Sequence, residues 1–188
     1  MIHKNLSSIT LLTIKKALSS LLLLFTLSAF AETNNISIVI HGGAGWFTGM
    51  AQDDIDGIKQ ALEESANKGY EIMLRGGTSI DAVEEAIVIL EDNPLFNAGR
   101  GAVYTSEFKQ ELDASIMDGS DLNAGAAASV TNVKNPIRLA RHIMDNTDHV
   151  MFSSKGAERV AKEAGLDIVY PSYFYSKEKL ERARNQQK

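Results

Sequence analysis

Two glycine-bearing loops hold the residues whose types and spacing could do chemistry. The first is His41-Gly42-Gly43-Ala44-Gly45; the second opens at Asn93-Pro94 and runs through Asn97, Ala98, Gly99 and Gly101. Glycine takes backbone angles closed to other residues, so the second loop can turn several carbonyl oxygens towards one point. Converging carbonyls suit a hard cation, which prefers oxygen ligands. HGG sequences also line esterase oxyanion loops, but those enzymes need a G-x-S-x-G elbow, which this chain lacks. The first loop is not a phosphate cradle either, because no Gly-Lys-Ser/Thr follows it. His142 and His149 have no third histidine or carboxylate at metal-ligand spacing, and HExxH is absent. Taken alone, His41 reads as a strand-end histidine and Asn97 as an Asx-turn residue.

The elements that must position these loops follow from periodicity. Ile36–Ile40 reads as a short β-branched strand delivering the first loop. Ile55, Ile58, Leu62, Ala66, Ile72 and Met73 keep helical spacing, predicting one amphipathic helix over Asp53–Arg75, ended by Gly76-Gly77. Thr78 with Asp81 makes a capping signal for a second helix, whose apolar face is Val83, Ala86, Ile87 and Leu90. Its acidic residues Glu84, Glu85, Glu91 and Asp92 read as a solvated face. That helix runs straight into the Asn93 loop. Beyond the loop, strands are expected at Ala102–Thr105 and Glu111–Met117, joined by Ser106–Gln110. Ala124–Val130, small and apolar throughout, reads as a strand buried on both faces. Asn135-Pro136 caps and opens a helix with Ile137, Ala140 and Met144 buried. A strand at His149–Ser153, a helix at Gly156–Ala164 and a charged helical tail from Ser176 fraying into a linker complete the chain.

With 188 residues, 44% hydrophobic and 23% charged, the chain is large enough for one core. Lys4, Lys15 and Lys16 precede the apolar run Leu21–Phe30, and Ala29-Phe30-Ala31 is an A-x-A cleavage signal. The run is too short to span a bilayer, so residues 1–31 read as a secretory signal peptide and the protein as exported, periplasmic or secreted. Removing them takes away three lysines and no acid, deepening the net charge from −5 to −8. An acidic surface disfavours nucleic acid and anionic membrane as partners. With no cysteine there is no thiol chemistry and no disulfide framework.

The stretches NPLFNAGRGAVYT (Asn93–Thr105) and ELDASIMDG (Glu111–Gly119) resemble the plant-type asparaginases, also called isoaspartyl peptidases, of the N-terminal-nucleophile hydrolase superfamily. So do IVIHGGAGWF at Ile38–Phe47, GGTSIDAVEEAIVILEDNPLFNAGRG at Gly76–Gly101 and AGAAASVTNVKNPIRLAR at Ala124–Arg141, in the family's order. The resemblance implies an α/β fold, the αββα sandwich, of which this chain holds the α-subunit portion over residues 32–175. Residues 176–188 would then be a charged tail and the start of a linker. It implies a structural sodium ion held by the main-chain carbonyls of Leu90, Glu91, Asn93, Phe96, Ala98 and Arg100, and no cofactor for the chemistry. Arg100 stands where several members of the family carry an apolar residue. By the same resemblance Asn97 points towards the nucleophile, and Gly42 and Gly43 lie against it in a loop whose movement is linked to self-cleavage.

Such enzymes are made as one precursor that cuts itself, exposing a threonine at the new N-terminus of a β subunit. Its hydroxyl attacks the substrate amide, with its own α-amine as general base, and nearby donors hold the oxyanion. Thr78, Thr105 and Thr131 do not match that motif, so no catalytic residue is expected in this chain. The implied whole is an (αβ)2 heterotetramer acting on β-aspartyl dipeptides and L-asparagine to release L-aspartate. Two other readings stay open: a truncated, inactive remnant with at most a binding role, and a glycosylasparaginase-like amidase.

Overall fold

The computed structural model describes residues 36–44 and 48–187. The signal peptide expected over residues 1–31 lies outside the described residues, as do residues 45–47 of the first loop.

Helix α1 spans Gln52–Leu74 and α2 spans Ser79–Asp92, close to expectation. They pack through a stripe of small residues on α1, Ala61, Ser65 and Gly69, spaced four apart and all buried. Ser65 Oγ donates to the Ala86 carbonyl of α2 at 2.7 Å, so the one polar atom on the stripe is satisfied by the facing helix. Between them, Gly76 at φ 84° donates to the Met73 carbonyl and Gly77 to that of Ile72, a Schellman ending that absorbs two orphan carbonyls. The Thr78/Asp81 capping box forms as expected. Val83, however, is exposed, and Ile80, Ala82, Ala86 and Leu90 form the inner face of α2.

A three-stranded sheet follows: β1 (Leu112–Met117), β2 (Ala124–Val130) and β3 (Met151–Ser153), in that spatial order. β1 and β2 pair antiparallel, β2 and β3 parallel, so that Ser115, Ala126 and Met151 stand in line. Register shifts near Asp113, whose carboxylate accepts the Ser129 N–H at 2.8 Å; Ser129 sits at φ 52°, the left-handed angle of a bulge. Helix α3 (Pro136–Asn146) packs on β1 and β2, and α4 (Ser154–Glu163) packs on β2. The core between them includes Leu112, Val130, Leu139, Ile143 and Phe174.

The helices lie so close because the strand is so small. Gly125 and Ala127 are buried facing α3, whereas Ala124, Ala126 and Ala128 on the other face are only partly covered. Met117 and Met151 flank that second face, each 55% exposed. The expectation that β2 is buried on both faces is therefore corrected: among the described residues, one layer of helices covers one face.

Two expected strands are also corrected. Ile36–Ile40 joins no ladder, although its burial alternates, with Ile36, Ile38 and Ile40 turned inward and Val39 92% exposed. The period-2 face is real, but it packs on helices: a Cβ at Gly69 would lie 2.4 Å from Ile38 Cδ1. Ala102–Thr105 is likewise irregular, because side chains satisfy its backbone in place of a neighbouring strand. Asn97 takes the Val103 N–H and Gln110 Nε2 donates to the Ala102 carbonyl. The tail is an ordered helix, α5 (Lys177–Gln186), capped by the Ser176 hydroxyl.

Candidate functional site

The two glycine loops, about fifty residues apart in sequence, meet. A Cβ on Gly42 would lie 3.2 Å from Phe96 Cε1 and from Leu62 Cδ2, so the first loop rests on the Phe96 ring through a residue with no side chain. Phe96 is buried in a small cluster with Ala61 and Leu90, against which Ile40, Leu62 and Ala98 pack. Gly43, at φ 94°, turns the chain, and its N–H donates to His41 Nδ1 at 3.1 Å. His41 is therefore a loop-forming acceptor, exposed, with its own backbone turn as partner.

In the second loop the turn roles differ from the sequence reading. Asn93, not Asn97, forms the Asx-turn: its Oδ1 accepts the Leu95 N–H at 2.9 Å. Asn97 Oδ1 reaches across to the Val103 N–H at 2.9 Å, tying the two ends of the loop. Asn97→Asp keeps that acceptor and is expected to change stability by less than about 0.5 kcal/mol, whereas Asn97→Ala is expected to lose about 1 kcal/mol. Hydrogen exchange at the Val103 amide checks this: it should quicken in Asn97→Ala only.

The loop is tight enough to need glycine at two places. At Gly99, φ 45°, a Cβ would meet the Glu91 carbonyl oxygen at 2.3 Å; at Gly101 it would meet those of Phe96 and Pro94 at 1.9 and 2.7 Å. Four of the six carbonyls expected to hold sodium have partners. Those of Leu90, Asn93 and Ala98 accept backbone N–H groups of the loop itself, from Asn93, Phe96 and Gly101 respectively. That of Phe96 faces the Lys179 ammonium of α5 at 3.4 Å. Lys179 Nζ also donates to the Pro94 carbonyl at 2.9 Å and, at closer range, to that of Gly101. The carbonyl set therefore does not fit a sodium ion on all six oxygens while Lys179 stays in place. Arg100 extends outward, its guanidinium 5.9 Å over the Tyr173 ring.

Lys179 was invisible in the sequence, where it is one charge in a charged tail. Burial, reinforced by the nearby Arg182 charge, pushes its pKa below the ordinary lysine value. Three acceptors and no donor nevertheless surround the amine, an arrangement that only the protonated form, with three N–H donors, satisfies.

The acidic face of α2 is the other correction. Glu84 is largely covered and pairs with Arg138 and Arg141 of α3. Glu91 is only 3% exposed, and its Oε1 accepts the Ile137 N–H at 3.0 Å. It thereby caps α3, the role expected of Asn135, whose amide instead donates to Asp92 at 3.1 Å. Glu91 Oε2 is buried with no partner, and burial pushes the carboxyl pKa up to about 8, against the pull of the Ile137 N–H. The residues were misread because helical periodicity locates an apolar face but cannot say that a second helix will dock beside it. Among the described residues no cluster of three histidine, aspartate or glutamate side chains could hold a metal.

An asparaginase family model matches residues 34–188. The chain is 45% identical over 138 residues to a plant-type L-asparaginase of Pyrococcus horikoshii, covering 73% of this chain and 43% of the relative. It is 42% identical over 135 residues to an isoaspartyl peptidase/L-asparaginase of Bos taurus, covering 72% and 43%. Against a plant-type L-asparaginase of Pyrobaculum calidifontis it is 44% identical over 144 residues, covering 76% and 47%. The chain belongs to the asparaginase family, and its relatives are named plant-type L-asparaginase and isoaspartyl peptidase/L-asparaginase. It spans about half the length of the curated relatives it matches.

Proposed function

We propose that this chain is the α part of an exported amidohydrolase that cleaves β-aspartyl dipeptides and L-asparagine, with a threonine nucleophile at the N-terminus of a β part. The observation that carries this reading is the meeting of the Gly42-Gly43 loop with the Asn93–Gly101 loop over Phe96. It joins the two motifs that the resemblance assigns to the active-site rim, in a chain that belongs to the asparaginase family. The partly covered sheet face, with Met117 and Met151 exposed, supports a β part as the missing cover. In this reading the chain's own contribution is to position: Phe96 fixes the two loops against each other, and Gly43 gives the first loop a turn that other residues resist. The attack itself belongs to the β part, whose threonine hydroxyl adds to the amide carbon while its α-amine takes the proton. The sodium ion implied by the resemblance has no role in this account, because Lys179 already faces the Phe96 carbonyl.

The test is the intact mass and N-terminal sequence of every polypeptide that co-purifies with this chain from its native source. A second polypeptide beginning with threonine, in a complex that releases aspartate from β-aspartyl dipeptides, is the expected result. The chain purified alone, with no such hydrolysis, would establish the inactive remnant instead.

A further inference from the structure

The loop between α2 and β1 is joined by polar contacts to α5 and to the residues that flank it. Gln110 Nε2 bridges the Ala102 and Phe174 carbonyls, each at 2.7 Å, and the Ser176 N–H donates to the Tyr104 hydroxyl at 3.3 Å. At the far end Gln187 Nε2 donates to the Ser106 carbonyl at 2.7 Å, and Arg184 lies 5.9 Å over the Phe108 ring. At the centre, the ammonium of Lys179 is surrounded by the carbonyls of Pro94, Phe96 and Gly101. No residue of α5 is fully buried, so hydrophobic burial does little to hold this helix down.

From this arrangement we infer that Lys179 is the resident cation of the Asn93–Gly101 carbonyl loop, so that docked α5 and a bound alkali cation exclude each other there. Three converging carbonyls have no N–H donor of their own from the loop, and an ammonium neutralises their aligned dipoles as a bare cation would. An alkali ion taking the Phe96 carbonyl would stand beside the like charge of the half-buried Lys179 ammonium. Either the ion stays out or Lys179 leaves, and with it the central tie of α5. The inference is independent of the proposed activity, since it concerns only cation, loop and helix.

The experiment compares thermal unfolding of the full chain and its Lys179→Met variant in sodium chloride and in choline chloride at equal ionic strength. In choline chloride the variant is expected to melt about 5 °C below the unaltered chain. Titrating sodium in should raise the variant's Tm saturably and leave the unaltered chain unmoved. A saturable, sodium-specific rise in the unaltered chain would overturn the inference, as would a variant indifferent to sodium. Should Lys179→Met fail to fold, the unaltered chain decides alone: indifference to sodium supports the resident lysine, and a saturable response overturns it.

Discussion

Replacing Gly125 with alanine is expected to lower stability by about 3 kcal/mol, seen as a fall in Tm of roughly 6–12 °C by circular dichroism. The added Cβ would lie 2.0 Å from the Ala140 carbonyl oxygen and 2.5 Å from the Met144 nitrogen, both backbone atoms of α3. A helix backbone cannot turn aside as a side chain can, so β2 and α3 must separate along their length. That separation would loosen the packing of Ile116 of β1 against Ile137 and Ala140 of α3. Gly119→Ala is the control. Nothing lies within 4 Å of its added Cβ, and a change below about 0.5 kcal/mol is expected. If Gly125→Ala melts with the parent, the close approach of strand and helix is wrong.

The second large effect concerns Glu91. Its carboxyl is raised to about 8 in the folded chain from an ordinary 4.5, so folding favours the protonated form. The sign follows: the stabilisation is fully present below pH 4.5 and is lost as pH rises through 8. Across that window the loss is on the order of 3–5 kcal/mol if no other group compensates. Chemical denaturation of the parent chain at a series of pH values should therefore show a downward slope that Glu91→Gln flattens. Glu91→Ala should also flatten it, but from a lower level. It strips the buried Ile137 N–H of its Glu91 cap and leaves a cavity, together worth about 2–3 kcal/mol. A parent chain whose stability rises from pH 5 to pH 8, with the Gln variant following it, would show that the carboxylate is ionised in the fold.

The parts of this molecule legible in its sequence are those decided locally. The capping box and the Gly76-Gly77 ending need only neighbouring residues, and both formed where expected. The strands Leu112–Met117 and Ala124–Val130 also appear within a residue of expectation, because alternation and small apolar residues suffice to mark them. Ala102–Thr105 was equally apolar but found no strand to pair with; Asn97 and Gln110 met its polar groups instead, and nothing in a run of four residues foretells that. Glu91 and Lys179 lay beyond reach for one shared reason. Each is an ionisable group whose partner comes from a segment more than forty residues away, Ile137 for the first and the Pro94–Gly101 carbonyls for the second. Sequence pattern treats a charge as solvated unless an opposite charge stands nearby, and here the partners are backbone groups.

The polar attachment of α5 has a thermodynamic signature of its own. Its release would uncover little apolar surface, so it would carry almost no heat-capacity change and little denaturant dependence. Global unfolding, by contrast, exposes the core around Leu139, Ile143 and Phe174 and steepens with both. The amides of Leu180–Gln186 should therefore exchange through an opening whose free energy is nearly flat in urea. Helix α5 would then come and go beneath a melting curve that still looks like one cooperative step.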